Sequence, residues 1–173
     1  MKNILLLLII VISFSSVAQN VSVPFDKKIF KEKKDAFKIA VDNLEEGDNF
    51  YELGQNPAIG FSIWSKAIPF YKKANDFNPD NASLNYKLGN CNLVSIHKYY
   101  ALDYFIHAYK LKPTIAKDIH YKIGRAYQYQ YKFDEALYEY GLFRKTLNND
   151  ADARVIVELN RFIKQCETGK TLM

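Results

Sequence analysis

Residues 88–113 read LGNCNLVSIHKYYALDYFIHAYKLKP, and residues 123–148 read IGRAYQYQYKFDEALYEYGLFRKTLN. Laid over each other at an offset of 35, they pair Gly89 with Gly124, Ala101 with Ala136, Phe105 with Tyr140 and Ala108 with Phe143. Just upstream, Tyr86 and Tyr121, and Lys87 and Lys122, obey the same interval. A period in the mid-thirties marks a helical hairpin copied along the chain, a unit that buries its apolar side only by stacking on its neighbours. The expected fold is therefore all-α.

Working outward, a more divergent first unit contains Gly47, Phe50, Gly54, Trp64, Ala67, Tyr71, Ala74 and Pro79. Spacings of three and four put each set on one helical stripe. Small residues are expected where the two helices of a hairpin approach, and large rings in the spaces between hairpins. Pro79 and Pro113 follow the second helices, where a missing N–H and a fixed φ stop continuation. The stretch between Gly54 and Ala67 is long, so Gln55–Gly60 reads as an enlarged loop, and Pro69 predicts a late start or a bend in the helix after it.

Both ends carry further helical stripes. Ile29, Phe30, Phe37, Ala40, Val41 and Leu44 predict a helix from about Asp26 that runs into the first unit. Val155, Ile156, Leu159, Phe162, Ile163 and Cys166 predict a one-sided capping helix over 152–168, its other face charged as a terminal cap requires. Leu159 stands where a fourth repeat would have its glycine. The expected units are 40–81, 82–116 and 117–149 within a domain of 26–168, with a flexible lead-in at 19–25 and a tail at 169–173.

The first 18 residues have the grammar of a secretory signal peptide: Lys2, an apolar run from Ile4 to Phe14, then Ser16-Val17-Ala18 before Gln19. The run is well short of the ~20 residues that span a bilayer. A soluble, exported chain follows as the expectation. Its formal charge of +5 is a mild basic excess, and the lysines at 27–34 are interleaved with Asp26, Glu32 and Asp35, which disfavours a nucleic-acid partner.

Catalytic constellations were sought among the polar residues. His97, His107 and His120 lack the i, i+4 spacing that gathers metal ligands on one helix face. The seven glycines form no phosphate-cradling loop, and pairs such as Glu45-Glu46 and Asp134-Glu135 fit solvated faces or helix starts. No enzyme activity, metal or cofactor is expected.

The repeats resemble the tetratricopeptide repeat (TPR). Lys132-Phe133-Asp134-Glu135-Ala136 is similar to that family's junction between paired helices, and Ala101, Phe105, Ala108 and Pro113 to its second-helix signature. Asn148 replaces the repeat-ending proline of the third unit. The resemblance covers roughly 40–149. It implies a TPR-type α-α superhelix of about three hairpins, with an N-terminal helical extension and a C-terminal capping helix. It also implies a partner-binding groove lined by the first helices. The matching positions are Ser83, Tyr86, Lys87, Asn90, Leu93 and Val94, then Asp118, Tyr121, Lys122, Arg125, Gln128 and Tyr129. Arg125 and Tyr129 stand out, because tyrosine at positions 86 and 121 is common across the family.

The chain also resembles the N-terminal TPR module of large Bacteroidetes envelope proteins, which continue into a β-propeller and an OmpA-like domain. Residues 77–82, 84–91 and 161–166 carry that similarity. It implies a periplasmic or outer-membrane-associated adaptor for a protein or peptide of a cell-envelope assembly, with links to secretion or gliding. Nothing in the chain matches the later domains, so a free-standing adaptor and a shortened form are both open. The alternative is a carbohydrate- or peptidoglycan-binding helical-repeat module, suggested by the 13 tyrosines.

Cys91 and Cys166 lie two repeat units apart. Neighbouring helices pack about 8–10 Å apart, whereas a disulfide needs Cα atoms within about 7 Å. Thiol titration of the unfolded, non-reduced chain should therefore count both cysteines as free; a count of zero would contradict this.

Overall fold

The computed structural model describes residues 21–148 and 152–173. The expected signal peptide lies outside them. The described residues contain seven α-helices and no strand: α1 (Lys34–Gln55), α2 (Ile68–Phe77), α3 (Ala82–Leu93), α4 (Ala101–Leu111), α5 (Ile119–Tyr129), α6 (Phe133–Thr146) and α7 (Ala153–Thr171). Short 3₁₀ segments at 31–33, 61–67 and 98–100 precede α1, α2 and α4. Consecutive helices pack as pairs, α1 with α2, α3 with α4 and α5 with α6, and each second helix also packs on the first helix that follows. The fold is all-α and helical-repeat-like. No helix among the described residues is long and apolar enough to cross a membrane.

Local chemistry explains the helix ends. The Asn81 side chain accepts from the Leu84 amide at 2.8 Å, and Asp152 from the Arg154 amide at 2.8 Å, each satisfying an otherwise unpaired donor in the first turn. Pro69 sits in the first turn of α2, where no N–H is needed, so the late start read from the sequence is what occurs. The enlarged connection is longer than Gln55–Gly60, because the 3₁₀ segment Phe61–Ala67 belongs to it.

Within each hairpin one aromatic ring lies flat on a glycine of the facing helix. A Cβ on Gly89 would stand 2.5 Å from the Phe105 ring, and one on Gly124 2.6 Å from Tyr140. Gly47 meets Tyr71 in the same way. Tyr71, Phe105 and Tyr140 are fully buried, as are Ala67, Ala101 and Ala136 one helical turn before them. One sequence expectation changes here. These rings fill the inside of the hairpins rather than the gaps between them. The repeat glycine of the first hairpin is Gly47, while Gly54, one heptad on, lies under Trp64. Tyr71 comes 24 residues after Gly47, where Phe105 comes 16 after Gly89, so the first unit carries an insertion that prolongs α1 and adds the 3₁₀ segment.

The ends also differ from expectation. Residues 27–30 form a turn and α1 begins only at Lys34, so the N-terminal extension is the first part of α1 itself. The segment 22–25, read as a loose lead-in, is tied to the junction of α2 and α3. The Val23 amide donates to the Asp80 carbonyl at 2.7 Å, its carbonyl accepts from Asn78 and Asn81, and the Ala82 amide donates to Ser22 Oγ. Phe25, Phe30 and Phe37 then cluster around Phe77. At the other end α7 buries Leu159, Phe162 and Cys166 against α6, and it runs to Thr171, so most of the expected tail is helix.

Gly89→Ala and Gly124→Ala should each destabilise the chain by about 1–3 kcal/mol, because the ring has no room to retreat. Gly141→Ala, with nothing within 4 Å of its Cβ position, should be neutral or stabilise by up to about 1 kcal/mol through lower unfolded-state entropy. Equal melting shifts for all three variants would contradict the ring-on-glycine packing.

Candidate functional site

Because α1, α3 and α5 present their glycines to the same kind of ring, they share one rotation about their axes. The residue after each glycine therefore falls in one row: Asp48, Asn90 and Arg125. These first helices, joined by α7, make a continuous polar and aromatic face.

At the α1 end this face is internally neutralised. Asp48 accepts from the Tyr71 hydroxyl at 2.6 Å and pairs with Lys87 Nζ at 2.6 Å, while that ammonium also sits near the Tyr51 and Tyr71 rings. In the middle, Asn90 is buried and donates to the Tyr51 hydroxyl at 2.9 Å, and its Oδ1 has no partner. Tyr86 packs on Phe105 and donates to Asp118 at 2.7 Å. Lys122 faces the same carboxylate at 3.8 Å, and burial holds its ammonium below the usual lysine range. Tyr121 is wedged among Tyr140, Phe143 and Phe162.

The α5–α7 end is different. The Arg125 guanidinium lies 3.6 Å from the Phe162 ring centroid and 5.0 Å from that of Tyr129, whose hydroxyl accepts its hydrogen bond at 2.8 Å. A second guanidinium, Arg161, lies 4.7 Å from the same Phe162 ring. Among the described residues Arg125 has no carboxylate within 4.0 Å. Gln128 accepts from the Tyr140 hydroxyl at 2.8 Å and donates to Gln165 at 3.1 Å, which fixes one wall. Except for Tyr140, these side chains, with Tyr131 and Phe133, border a shallow open space of about 540 Å³ between α5 and α7. A stacked, preorganised guanidinium with spare donors suits an incoming carboxylate or carbonyl oxygen.

Of the positions anticipated from the sequence, Arg125, Gln128 and Tyr129 line this space. Tyr86, Lys87 and Asn90 lie on the same face but bridge to neighbouring helices through the Tyr86 hydroxyl, the Lys87 ammonium and the Asn90 Nδ2. Tyr121 and Lys122 do not line the space: Tyr121 packs on Phe162, and Lys122 faces Asp118. Val94 lies apart: it caps α3 and borders a different cavity with Ser62 and Ile68. Sequence reading missed Asp48, Tyr51, Arg161, Phe162 and Gln165. The first two follow from the glycine register once Gly47 is the reference; the last three belong to α7, read only as a cap.

The histidines are dispersed. His120 Nδ1 is 2.7 Å from Glu139 Oε2 with its ring edge-on to Tyr109, and His107 Nε2 is 3.3 Å from Asp80. No protein-family model matches the chain, and no curated protein matches it either.

Burial keeps several acids of this region protonated. It pushes the Cys91 thiol up to about 12 and that of Cys166 to about 11, and raises the hydroxyls of Tyr51, Tyr71, Tyr86, Tyr121 and Tyr140. Each group is neutral in the fold and ionises more readily once unfolded, so the unfolded chain releases protons first as pH rises. Stability is thus full below an unfolded thiol value of about 9 and declines toward pH about 12. Melting temperatures should be level from neutrality to about pH 8.5 and fall steadily above about pH 9; a level profile to pH 11 would contradict the buried, neutral assignment.

Proposed function

We propose that the chain is a non-catalytic docking module built on a TPR-type superhelix, which holds a peptide or partner segment along the face of its first helices. The observation that carries this reading is Arg125: a half-buried guanidinium stacked on Phe162, with no described carboxylate within 4.0 Å, at the edge of an open space. Removing a cation from water without an internal counter-charge is costly, and a partner's oxygen acceptor would offset that cost on binding. Tyr129 and Arg161 add the amphipathic contact that interface centres favour.

The expected export signal and the resemblance to envelope modules favour docking in the periplasm or at the outer membrane, within a cell-envelope assembly. A glycan ligand is less well supported. Most of the tyrosines that suggested one are committed to packing, and the hydroxyls of Tyr51, Tyr71, Tyr86, Tyr129 and Tyr140 hydrogen-bond inside the chain.

Selection of a displayed random-peptide library on the chain, followed by affinity measurement, tests the reading. Enriched peptides should lose at least about tenfold in affinity, roughly the worth of one charge-assisted bond, on the Arg125→Gln and Tyr129→Ala variants, each with near-native melting. Peptides bound equally by both variants would reject this face as the site, and sedimentation with peptidoglycan in the absence of any peptide enrichment would favour the glycan reading.

A further inference from the structure

Three connections join first to second helices: 56–67, 94–100 and 130–132. All three emerge at the same end of the hairpins and touch one another. Ser62, Pro69 and Ile96 border one shared cavity, the Gln130 side chain donates to the Tyr99 carbonyl at 3.0 Å, and Lys98 Nζ lies 5.4 Å from the Tyr129 ring centroid. They form one edge of the molecule.

That edge projects apolar groups into water. Phe61 is 55% exposed, Ile96 90%, Tyr99 58%, Tyr100 60% and Tyr131 64%. The projection is built in rather than loose. Ser95 Oγ donates to the Asn92 carbonyl and accepts from the His97 amide, a turn that holds Ile96 outward. Tyr131 keeps its ring in solvent from a left-handed backbone at φ 59°, a conformation that glycine or asparagine adopts at lower cost. The connections 56–67, 94–100 and 130–132 carry no Asp or Glu, and Lys66, Lys98 and Lys132 each lie on one of them; Glu52, Asp134 and Glu135 belong to the flanking helix ends.

We propose that this edge docks on an anionic lipid bilayer. Aromatic rings with polar tips settle at the headgroup level, where one end is apolar and the other wet. Lysines among them are drawn to a negative surface, and acidic side chains in the same loops would be repelled from it. The row of separate projecting side chains, with lysines between them, fits a fluid surface better than the packed centre of a protein interface. This edge adjoins the Arg125 face, and Tyr131 borders both.

The test places an environment-sensitive fluorophore on the full chain through Ile96→Cys, the native cysteines being buried. The same dye at Tyr138→Cys, an exposed position on α6, is the control. Vesicles of phosphatidylglycerol and phosphatidylcholine in equal parts should shift the Ile96 label to the blue, a shift suppressed by high salt, and leave the Tyr138 label unchanged. In sedimentation with those vesicles, an Ile96→Ser, Tyr99→Ser, Tyr131→Ser chain of unchanged melting temperature should pellet several-fold less than the parent. Four results overturn the proposal: no shift at 96, the same shift at both positions, the same shift with phosphatidylcholine alone, or pelleting unaffected by the triple substitution. A shift at 96 produced only by a lipid-free protein extract would assign the edge to a protein and equally reject the bilayer.

Discussion

An aromatic ring lying on a glycine is the contact from which the rest of this architecture follows. Tyr71 on Gly47, Phe105 on Gly89 and Tyr140 on Gly124 each set how closely two helices approach and how they are turned toward each other. Any side chain in place of the glycine would collide with the ring. The alanines one turn before each ring, all fully buried, permit the same close approach. Even the last helix uses the device, with Gly169 of α7 under the Phe133 ring of α6.

Turning the helices alike has a chemical consequence. The same register that faces glycine inward places Asp48, Asn90 and Arg125 in one row about 100° round each helix from its hairpin seam. The row runs from acid through amide to base, but its ends are not equivalent. Asp48 is neutralised by Lys87 within the chain, while Arg125 is stacked and hydrogen-bonded without a carboxylate. The guanidinium free of close carboxylates therefore lies between α5 and α7, where α7 contributes Phe162, Arg161 and Gln165 to its surroundings.

The repeat itself was legible because its marker residues are defined by close contact: a glycine, an alanine and a ring at fixed intervals admit few substitutes, so the 35-residue offset survives in α3–α6. Pro69 likewise announced the start of α2 through its missing N–H. The place of the large rings was not legible, because spacing puts them on one stripe but cannot say whether that stripe meets its own hairpin partner or the next hairpin. The anchoring of residues 22–25 was hidden because it is made by backbone groups and the side chains of Asn78 and Asn81 far along the chain. Arg125 was visible as a candidate from its register, but the roles of Lys87 and Asn90 were not. Their partners, Asp48 and Tyr51, lie across a helix gap that only three-dimensional packing closes.

The shared register can be read directly from proton chemical shifts. A glycine under the face of an aromatic ring has its α-protons displaced upfield, so Gly47, Gly89 and Gly124 should all show large upfield Hα shifts, while Gly141, with open space beside it, should stand near the ordinary helical value. Ordinary values for Gly89 and Gly124 would mean that Phe105 and Tyr140 do not lie on them, and the common rotation of the first helices, with the face built on it, would be wrong.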